Sequence, residues 1–165
     1  MGLSATCTGE VRCEGARLGS EWLLAGPVEG VLTRGRGAGT GGLQTSALAI
    51  GVASAAIGFL EQQAVHRPDL RPAAAALCGE HGALEAELLA LAAGDPGASY
   101  DDLRSRANSL VLRAAQGALA AAKGSGYVAG HPVGRWCREA LFFLVWSCPQ
   151  PVMAAALCEL AGLDE

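Results

Sequence analysis

The glycine-rich stretch RGRGAGTGGLQTS, residues 34 to 46, carries the first pattern in this chain that could do chemistry. Gly37, Gly39 and Gly42 satisfy the spacing G-x-G-x-x-G, and Glu61 follows at about the distance of the ribose-binding acid of a dinucleotide-binding fold. Such a loop holds a pyrophosphate between a buried strand and a helix N-terminus. The preceding segment, LLAGPVEGVLTR, is interrupted by glycine and proline. We therefore interpret the stretch as an ordinary loop before a helix.

Other residue types that catalyse reactions are few and scattered. His66 and His131 lie beside prolines at predicted helix boundaries, which indicates capping or surface roles, and His81 lies among glutamates in a predicted helix. No Gly-Lys-Ser/Thr and no G-x-S-x-G occurs, so neither a P-loop nor a hydrolase serine is indicated. The six cysteines show no C-x-x-C and no zinc spacing with histidine. We predict buried thiols in a reducing cytoplasm and no metal site.

The composition limits the class of protein. Hydrophobic residues make up 51% of the 165 residues and aromatic residues only 5%, so the core must consist mainly of Ala, Leu and Val. Such a core favours closely packed helices over a sheet. The formal net charge is −4, and Lys123 is the one lysine. Without a basic patch, nucleic acid is excluded as an expected partner.

Residues 37 to 60 contain no charged side chain, which raises the question of a membrane span. From Ala47 onward about fifteen residues are apolar, fewer than the ~20 that a bilayer requires. The N-terminus MGLSATCTGE lacks the basic and apolar parts of a signal peptide. The prediction is a cytoplasmic protein that does not enter a membrane, with a membrane-associated helical protein as the alternative.

The spacing of apolar residues predicts an all-α fold: an antiparallel four-helix bundle after a short N-terminal β-hairpin or extended segment at 10 to 18. We expect residues 1–34 to form a β-segment remnant and linker, and residues 35–165 to form the bundle. Helices are expected from Leu43 to about His66, at roughly 71 to 93, from a capping-box-like start at Ser99 to about Ala122, from near Pro132, and at about 151 to 162.

The patterns within these helices predict which side chains are buried or paired. The first helix is apolar on two faces, so we expect it to be buried between others. The third should bury a stripe of Leu103, Ala107, Leu110, Ala114 and Ala118. Asp102 lies four residues before Arg106, as in a helical ion pair, and Arg138 is expected to pair with a neighbouring acid.

The stretch from 123 to 146, KGSGYVAGHPVGRWCREALFFLVW, resembles the C-terminal domain of the acyl-CoA dehydrogenase family. The family's segment reads Gly-x-Gly-Tyr, then Pro-Val-x-Arg, then Tyr-Arg-Asp-Ala. The residues in matching order are Gly124, Gly126, Tyr127, Pro132, Val133, Arg135, Arg138 and Ala140, with Glu139 for the family's Asp. The N-terminal EVRCEGARLGSEWLLAGP resembles the tail of that family's β-domain, and the glycine loop would then join it to the bundle.

The resemblance implies a flavoprotein that uses FAD to desaturate an acyl-CoA between Cα and Cβ. A glutamate removes the α-proton and the β-hydrogen passes as hydride to the flavin. By resemblance, Arg67 matches the arginine that binds the FAD pyrophosphate, and Gly124 lies where the backbone passes close to the flavin nucleotide. The implied partners are acyl-CoA and further copies of the chain in a homo-oligomer.

Several positions depart from the family pattern. Ser147 stands where the catalytic glutamate belongs, and Gly41 and Gly42 stand at the alternative place for the base on the first helix. Ala120 replaces the usual glutamine and Lys123 the first of two glycines, and the Phe-Gly after Arg67 is missing.

The N-terminal helical domain and most of the β-domain are also missing from the sequence. The expectation is a truncated C-terminal domain of an acyl-CoA dehydrogenase-like flavoprotein that is inactive by itself and has no catalytic residue. The alternative is a non-catalytic dimerisation or binding module derived from the same scaffold.

Overall fold

The computed structural model describes residues 9–23, 26–30, 42–95, 97 and 99–163. These residues form helices, turns and irregular segments, with no β-strand among them, so the predicted all-helical fold is confirmed. The described α-helices are α1 (Leu43–His66), α2 (Arg71–Ala92), α3 (Tyr100–Ala122), α4 (Pro132–Phe142) and α5 (Gln150–Ala161). The chain divides into two compact units, residues 1–39 and 40–165, which we describe separately.

The first unit is largely irregular where it is described. One short 3-10 turn spans Ser20–Trp22. The strand or hairpin expected at 10 to 18 is not formed, and Val11 and Cys13 are exposed. Alternation of apolar residues needs a neighbouring strand to become a ladder, and the described residues of this unit provide none. Gly37, Gly39 and the predicted domain boundary after residue 34 lie outside the described residues.

Two of the helices in the second unit, α3 and α4, begin with a side-chain cap. α1 begins after an extended Gly42 and ends at His66, two residues before a proline. Ser99 Oγ accepts the N–H of Asp102 at 3.4 Å, which confirms the predicted capping-box-like start of α3. His131 Nδ1 accepts the N–H of Val133 at 3.3 Å, so its predicted capping role is also confirmed.

Helix α3 is the centre of the second unit. It packs against α1, α2, α4 and α5. Every member of its predicted apolar stripe has no exposed surface: Leu103, Ala107, Leu110, Ala114 and Ala118. Since four neighbours surround one helix, its alanines are what allow the other backbones to approach closely.

Helix α1 is buried on one face, whereas the sequence predicted burial on two. Ile50, Ile57 and Leu60 lie in the core, but Leu48 on the opposite side is 63% exposed. The outer face carries small residues at Gly51 and Ala55 as well, and no described helix covers it. By length and composition α1 could cross a membrane, and 44% of its most apolar window is buried against the rest of the protein.

Side-chain contacts between helices show their relative directions. Residues further along one helix contact residues earlier in the next, so α2 runs opposite to both α1 and α3, and α4 runs opposite to α3. The pairs are Glu61 with Cys78 and Ala64 with Arg71 for α1 and α2, Glu80 with Arg113 and Glu87 with Arg106 for α2 and α3, and Ala115 with Cys137 and Asn108 with Phe143 for α3 and α4.

Two predicted ion pairs are replaced by others. Arg106 pairs with Glu87 of α2 rather than with Asp102 on its own helix, because the packing of α2 brings that carboxylate to it. On α4, Arg135 pairs with Glu139 at 3.2 Å, and Arg138 has no ion pair with a described residue. Exposed ion pairs contribute about 0–1 kcal/mol each to the free energy of unfolding. The packing of the helices therefore determines which ion pairs form, and not the reverse.

The close packing of α3 predicts a large difference between two identical substitutions on that helix. Ala114→Leu places three further carbon atoms where Ala114 has no exposed surface, and should lower the free energy of unfolding by about 1–3 kcal/mol. Ala120→Leu, at an exposed position of α3, should change it by less than about 0.5 kcal/mol. Urea unfolding followed by far-ultraviolet circular dichroism measures both, and equal stabilities would contradict the packing described.

Candidate functional site

The residues predicted to be functional lie at opposite ends of α3. Arg67 and Gly124 lie near its C-terminus, and Ser147 lies near its N-terminus beside Arg104. From Arg104 to Ala121 the helix rises about 25 Å at about 1.5 Å per residue. One small substrate therefore does not contact both groups, and each end is described separately.

At the C-terminal end, Arg67 reaches from the end of α1 to the last turn of α3. Its Nη1 donates to the backbone oxygen of Ala121 at 2.8 Å, across 54 positions of sequence. Its Nη2 lies 3.7 Å from Asp69 Oδ2, and its side chain is 31% exposed. Arg67 thus satisfies a carbonyl that lacks a helical partner and still presents part of its guanidinium to solvent.

The 3-10 turn Lys123–Tyr127 follows α3 directly and forms the rest of this end. Lys123 has φ 55° and ψ −145°, a backbone conformation that glycine adopts readily and other residues rarely. A Cβ at Gly124 would meet no atom within 4 Å, so its surroundings are open. Tyr127 is 82% exposed. This end of α3 therefore presents two cations, Lys123 of the turn and Arg67 after α1, and the exposed ring of Tyr127.

Two other glycines allow α4 to lie against this turn. A Cβ at Gly126 would come within 2.6 Å of Leu119 Cδ1, and one at Gly134 within 2.7 Å of the Gly126 oxygen. Phe59 of α1 packs edge-to-face against the rings of His131 and Trp136 at the start of α4, with ring centres 5.8 and 6.3 Å apart. The turn therefore lies in close backbone contact with α4, and α4 in turn packs on α1.

At the N-terminal end, Arg104 is a buried arginine that the sequence reasoning missed. Its side chain has no exposed surface. Nε donates to Asn108 Oδ1 at 3.0 Å, and Nη2 donates to the oxygen of Trp146 at 3.1 Å. The guanidinium carbon lies 5.9 Å from the centre of the Phe143 ring. Nη1 is buried and has no hydrogen-bond partner.

The electrostatics of Arg104 follow from this burial. Burial lowers the pKa of its guanidinium, and the neighbouring Cys148 acts in the opposite direction. No described carboxylate forms an ion pair with it. Arginine nevertheless remains charged at neutral pH. The sequence signal was present, because Arg104 and Asn108 are four residues apart and directly follow Leu103 and Ala107 of the buried stripe.

Ser147 follows directly after the carbonyl that Arg104 binds, with φ 45°. A serine hydroxyl removes a proton from carbon only when a base first accepts its own proton. Arg104 is a cation and accepts none. A serine therefore stands where the resemblance expects the catalytic glutamate, and Arg104 does not serve as its base.

A groove of about 430 Å³ lies between α3 and α5, lined in part by Ser105, Ser109 and Glu159. Ser109 Oγ donates to Glu159 Oε1 at 2.6 Å and accepts from Arg113 Nε at 3.1 Å. Each charge in this cluster is compensated, since Arg113 also binds Glu80. The cluster attaches α5 to α3.

The described cysteines differ in part from their prediction. Cys13 and Cys78 are exposed and not buried, while three others are half-buried, and none of the five forms a disulfide. A hydrogen bond with Glu61 and the charge of that carboxylate raise the pKa of Cys78. Burial raises the pKa of Cys137. No group of three or more His, Cys, Asp or Glu side chains among the described residues is placed to hold a metal ion.

Comparison with protein-family models, with curated proteins and with solved structures found no match for this chain.

The backbone of the turn after α3 predicts opposite effects for two glycine substitutions. Lys123→Gly removes the strain of a side chain at φ 55° and should raise the free energy of unfolding by about 1 kcal/mol after the added flexibility of the unfolded chain is subtracted. Ala120→Gly, inside the same helix and exposed, should lower it by about 1 kcal/mol. Both values come from urea unfolding, and a destabilised Lys123→Gly would refute the strained conformation.

Proposed function

We propose that this chain is the C-terminal helical domain of an acyl-CoA dehydrogenase-like flavoprotein, with α1 to α4 in the antiparallel four-helix class. The observation that carries the proposal is the backbone at Lys123. The resemblance expects a glycine at this position, and φ 55° with ψ −145° is a conformation that favours glycine. If Lys123 replaced a glycine of the family's turn and the turn kept its shape, the lysine would have this backbone conformation.

The position of Arg67 supports the same proposal. The resemblance assigns Arg67 and Gly124 to the flavin nucleotide from separate parts of the sequence. Arg67 binds the oxygen of Ala121, three residues before Gly124, so both residues belong to one end of the bundle. The alternating directions of α1 to α4 agree with the proposed bundle class.

The residues at this turn fit the diphosphate of FAD. Arg67 and Lys123 supply two cations, Tyr127 offers an exposed ring, and the open space at Gly124 admits a close approach to the backbone. The carbonyl end of a helix repels anions. The hydrogen bond from Arg67 to Ala121 reduces that repulsion, because one of the terminal carbonyls already has a donor.

The proposed chemistry is limited to holding the cofactor. FAD, when bound, supplies the hydride acceptor for α,β-desaturation of acyl-CoA. Ser147 stands at the position of the glutamate, and a serine hydroxyl does not by itself abstract a proton from carbon as a carboxylate does. We therefore propose that this chain contributes a nucleotide-binding turn and no proton abstraction, and that it is inactive by itself.

Binding of FAD to the purified chain tests this proposal through Arg67. Wild type should bind FAD weakly, and Arg67→Gln should weaken binding by about tenfold, which corresponds to the loss of about 1.4 kcal/mol. Arg12→Gln removes the same charge from an exposed side chain of the first unit and should leave binding unchanged. Flavin fluorescence anisotropy measures all three.

ADP should compete with FAD in that measurement and riboflavin should not, because the proposed contacts are to the diphosphate. Binding that is absent at millimolar FAD, or equal in wild type and Arg67→Gln, would refute the nucleotide-binding turn.

A second candidate function is self-association without catalysis, and the outer face of α5 favours it. Met153, Leu157 and Leu160 follow one another at four and three residues, so they share one face of the helix, and all three are exposed. Val152 and the groove residues attach the opposite face to α3. An uncharged face of this kind can meet its own copy without charge repulsion.

A charge placed on this face should separate the copies. Leu157→Glu should shift the chain from oligomer to monomer in sedimentation velocity at micromolar concentration, because a carboxylate would have to be buried in the contact. Ala76→Glu adds the same charge at an exposed position of α2, a different helix, and should leave the oligomer intact. A wild-type chain that sediments as a monomer would refute the association.

A further inference from the structure

The buried guanidinium of Arg104 is the least compensated group in the part of the chain that the structure describes. Asn108 Oδ1 and the Trp146 oxygen occupy Nε and Nη2, and both acceptors are uncharged. Nη1 has no partner, and no described carboxylate pairs with the side chain. A buried, unpaired charge costs several kcal/mol. The fold therefore favours any anion that reaches Nη1.

The start of α5 follows closely along the chain from residues that contact or neighbour Arg104, and it also attracts anions. The linker from Phe143 to Pro149 carries the Trp146 oxygen that Arg104 binds, and it leads directly into α5. No side chain caps the N-terminus of α5, and its first turn contains no acidic residue. The positive end of a twelve-residue helix thus remains without a counter-charge from its own first turn.

The linker contacts the guanidinium on one side and solvent on the other. The Trp146 carbonyl binds Arg104, while the Trp146 side chain is 49% exposed and stacks on Phe142 at 5.0 Å. Because Nη1 has no exposed surface, a ligand that pairs with it must be small. Its binding would require the Trp146 segment to move, and the proposal includes that movement.

We propose that Arg104 and the N-terminus of α5 form a binding site for a small monoanion, a halide or a carboxylate no larger than acetate. The anion accepts a charge-assisted hydrogen bond from Nη1 and pairs the buried charge. This site is independent of the proposed flavin-nucleotide turn, because it lies at the other end of α3. Failure of FAD binding would therefore leave it untouched.

Thermal unfolding of the full chain at constant ionic strength tests the site. Sodium bromide or sodium formate is titrated against sodium isethionate, whose bulky anion does not fit. Wild type should gain about 3 °C in Tm when the anion reaches tenfold excess over its Kd. In Arg104→Met the gain should vanish, while Arg135→Met, which removes an exposed arginine of α4, should retain it. Equal gains in wild type and Arg104→Met would overturn the proposal.

Two measurements remain decisive even if Arg104→Met unfolds. Tryptophan emission of wild type should shift with bromide or formate, and the shift should be lost in Trp146→Phe but kept in Trp136→Phe. Crystals soaked in bromide should show anomalous density within hydrogen-bonding distance of Arg104 Nη1. Response to bromide and not formate identifies a halide site, and response to both a general monoanion site. Absence of both the emission shift and the density would overturn the proposal.

Discussion

The burial of α3 among four other helices is the constraint on which the rest of this structure depends. Twelve of its residues are buried, and half of them are alanine. Each alanine buries little area, so stabilisation comes from many close contacts between backbones and not from a few large side chains. Alanine also loses no side-chain entropy on folding. A core of this kind needs precise spacing between helices, which the glycines at 117, 126 and 134 help to provide.

Each end of this central helix is fastened by an arginine that donates to a backbone oxygen. Arg67 binds the oxygen of Ala121, and Arg104 binds the oxygen of Trp146. The two differ in their surroundings. Arg67 is partly exposed and lies near Asp69, whereas Arg104 is buried without a described carboxylate. Arg67 therefore has a nearby negative charge and contact with solvent, whereas Arg104 has neither within the described residues. For this reason we propose a nucleotide site at the surface near Arg67 and a small buried anion site at Arg104.

The outer surfaces of the second unit also differ in kind. The exposed face of α1 combines small residues such as Gly51 and Ala55 with two isolated large ones, Leu48 and Val65, whereas the exposed face of α5 carries Met153, Leu157 and Leu160 side by side. Large apolar side chains gain about 25 cal/mol for each Å² that a partner removes from water, and small ones gain much less from the same contact. Of these two surfaces, that of α5 therefore has the larger driving force for association.

The local features of this protein follow from neighbouring residues in its amino-acid sequence. The bounds of the helices, the caps at Ser99 and His131 and the buried stripe of α3 depend on residues within a few positions of one another, and the structure agrees with them. The resemblance to acyl-CoA dehydrogenases, the FAD site and the oligomer stay predictions.

Tertiary structure decided what depends on distant residues. One face of α1 is exposed, and Arg106 pairs with Glu87 instead of Asp102. Cys78 is exposed, whereas Arg104 is buried. Periodicity shows that a residue lies on a given face of its helix, but it does not show which other helix covers that face. The burial of a charge and its pairing depend on how the helices pack together. The spacing of Arg104 and Asn108 indicates a shared helix face, but the sequence does not show that other helices cover it.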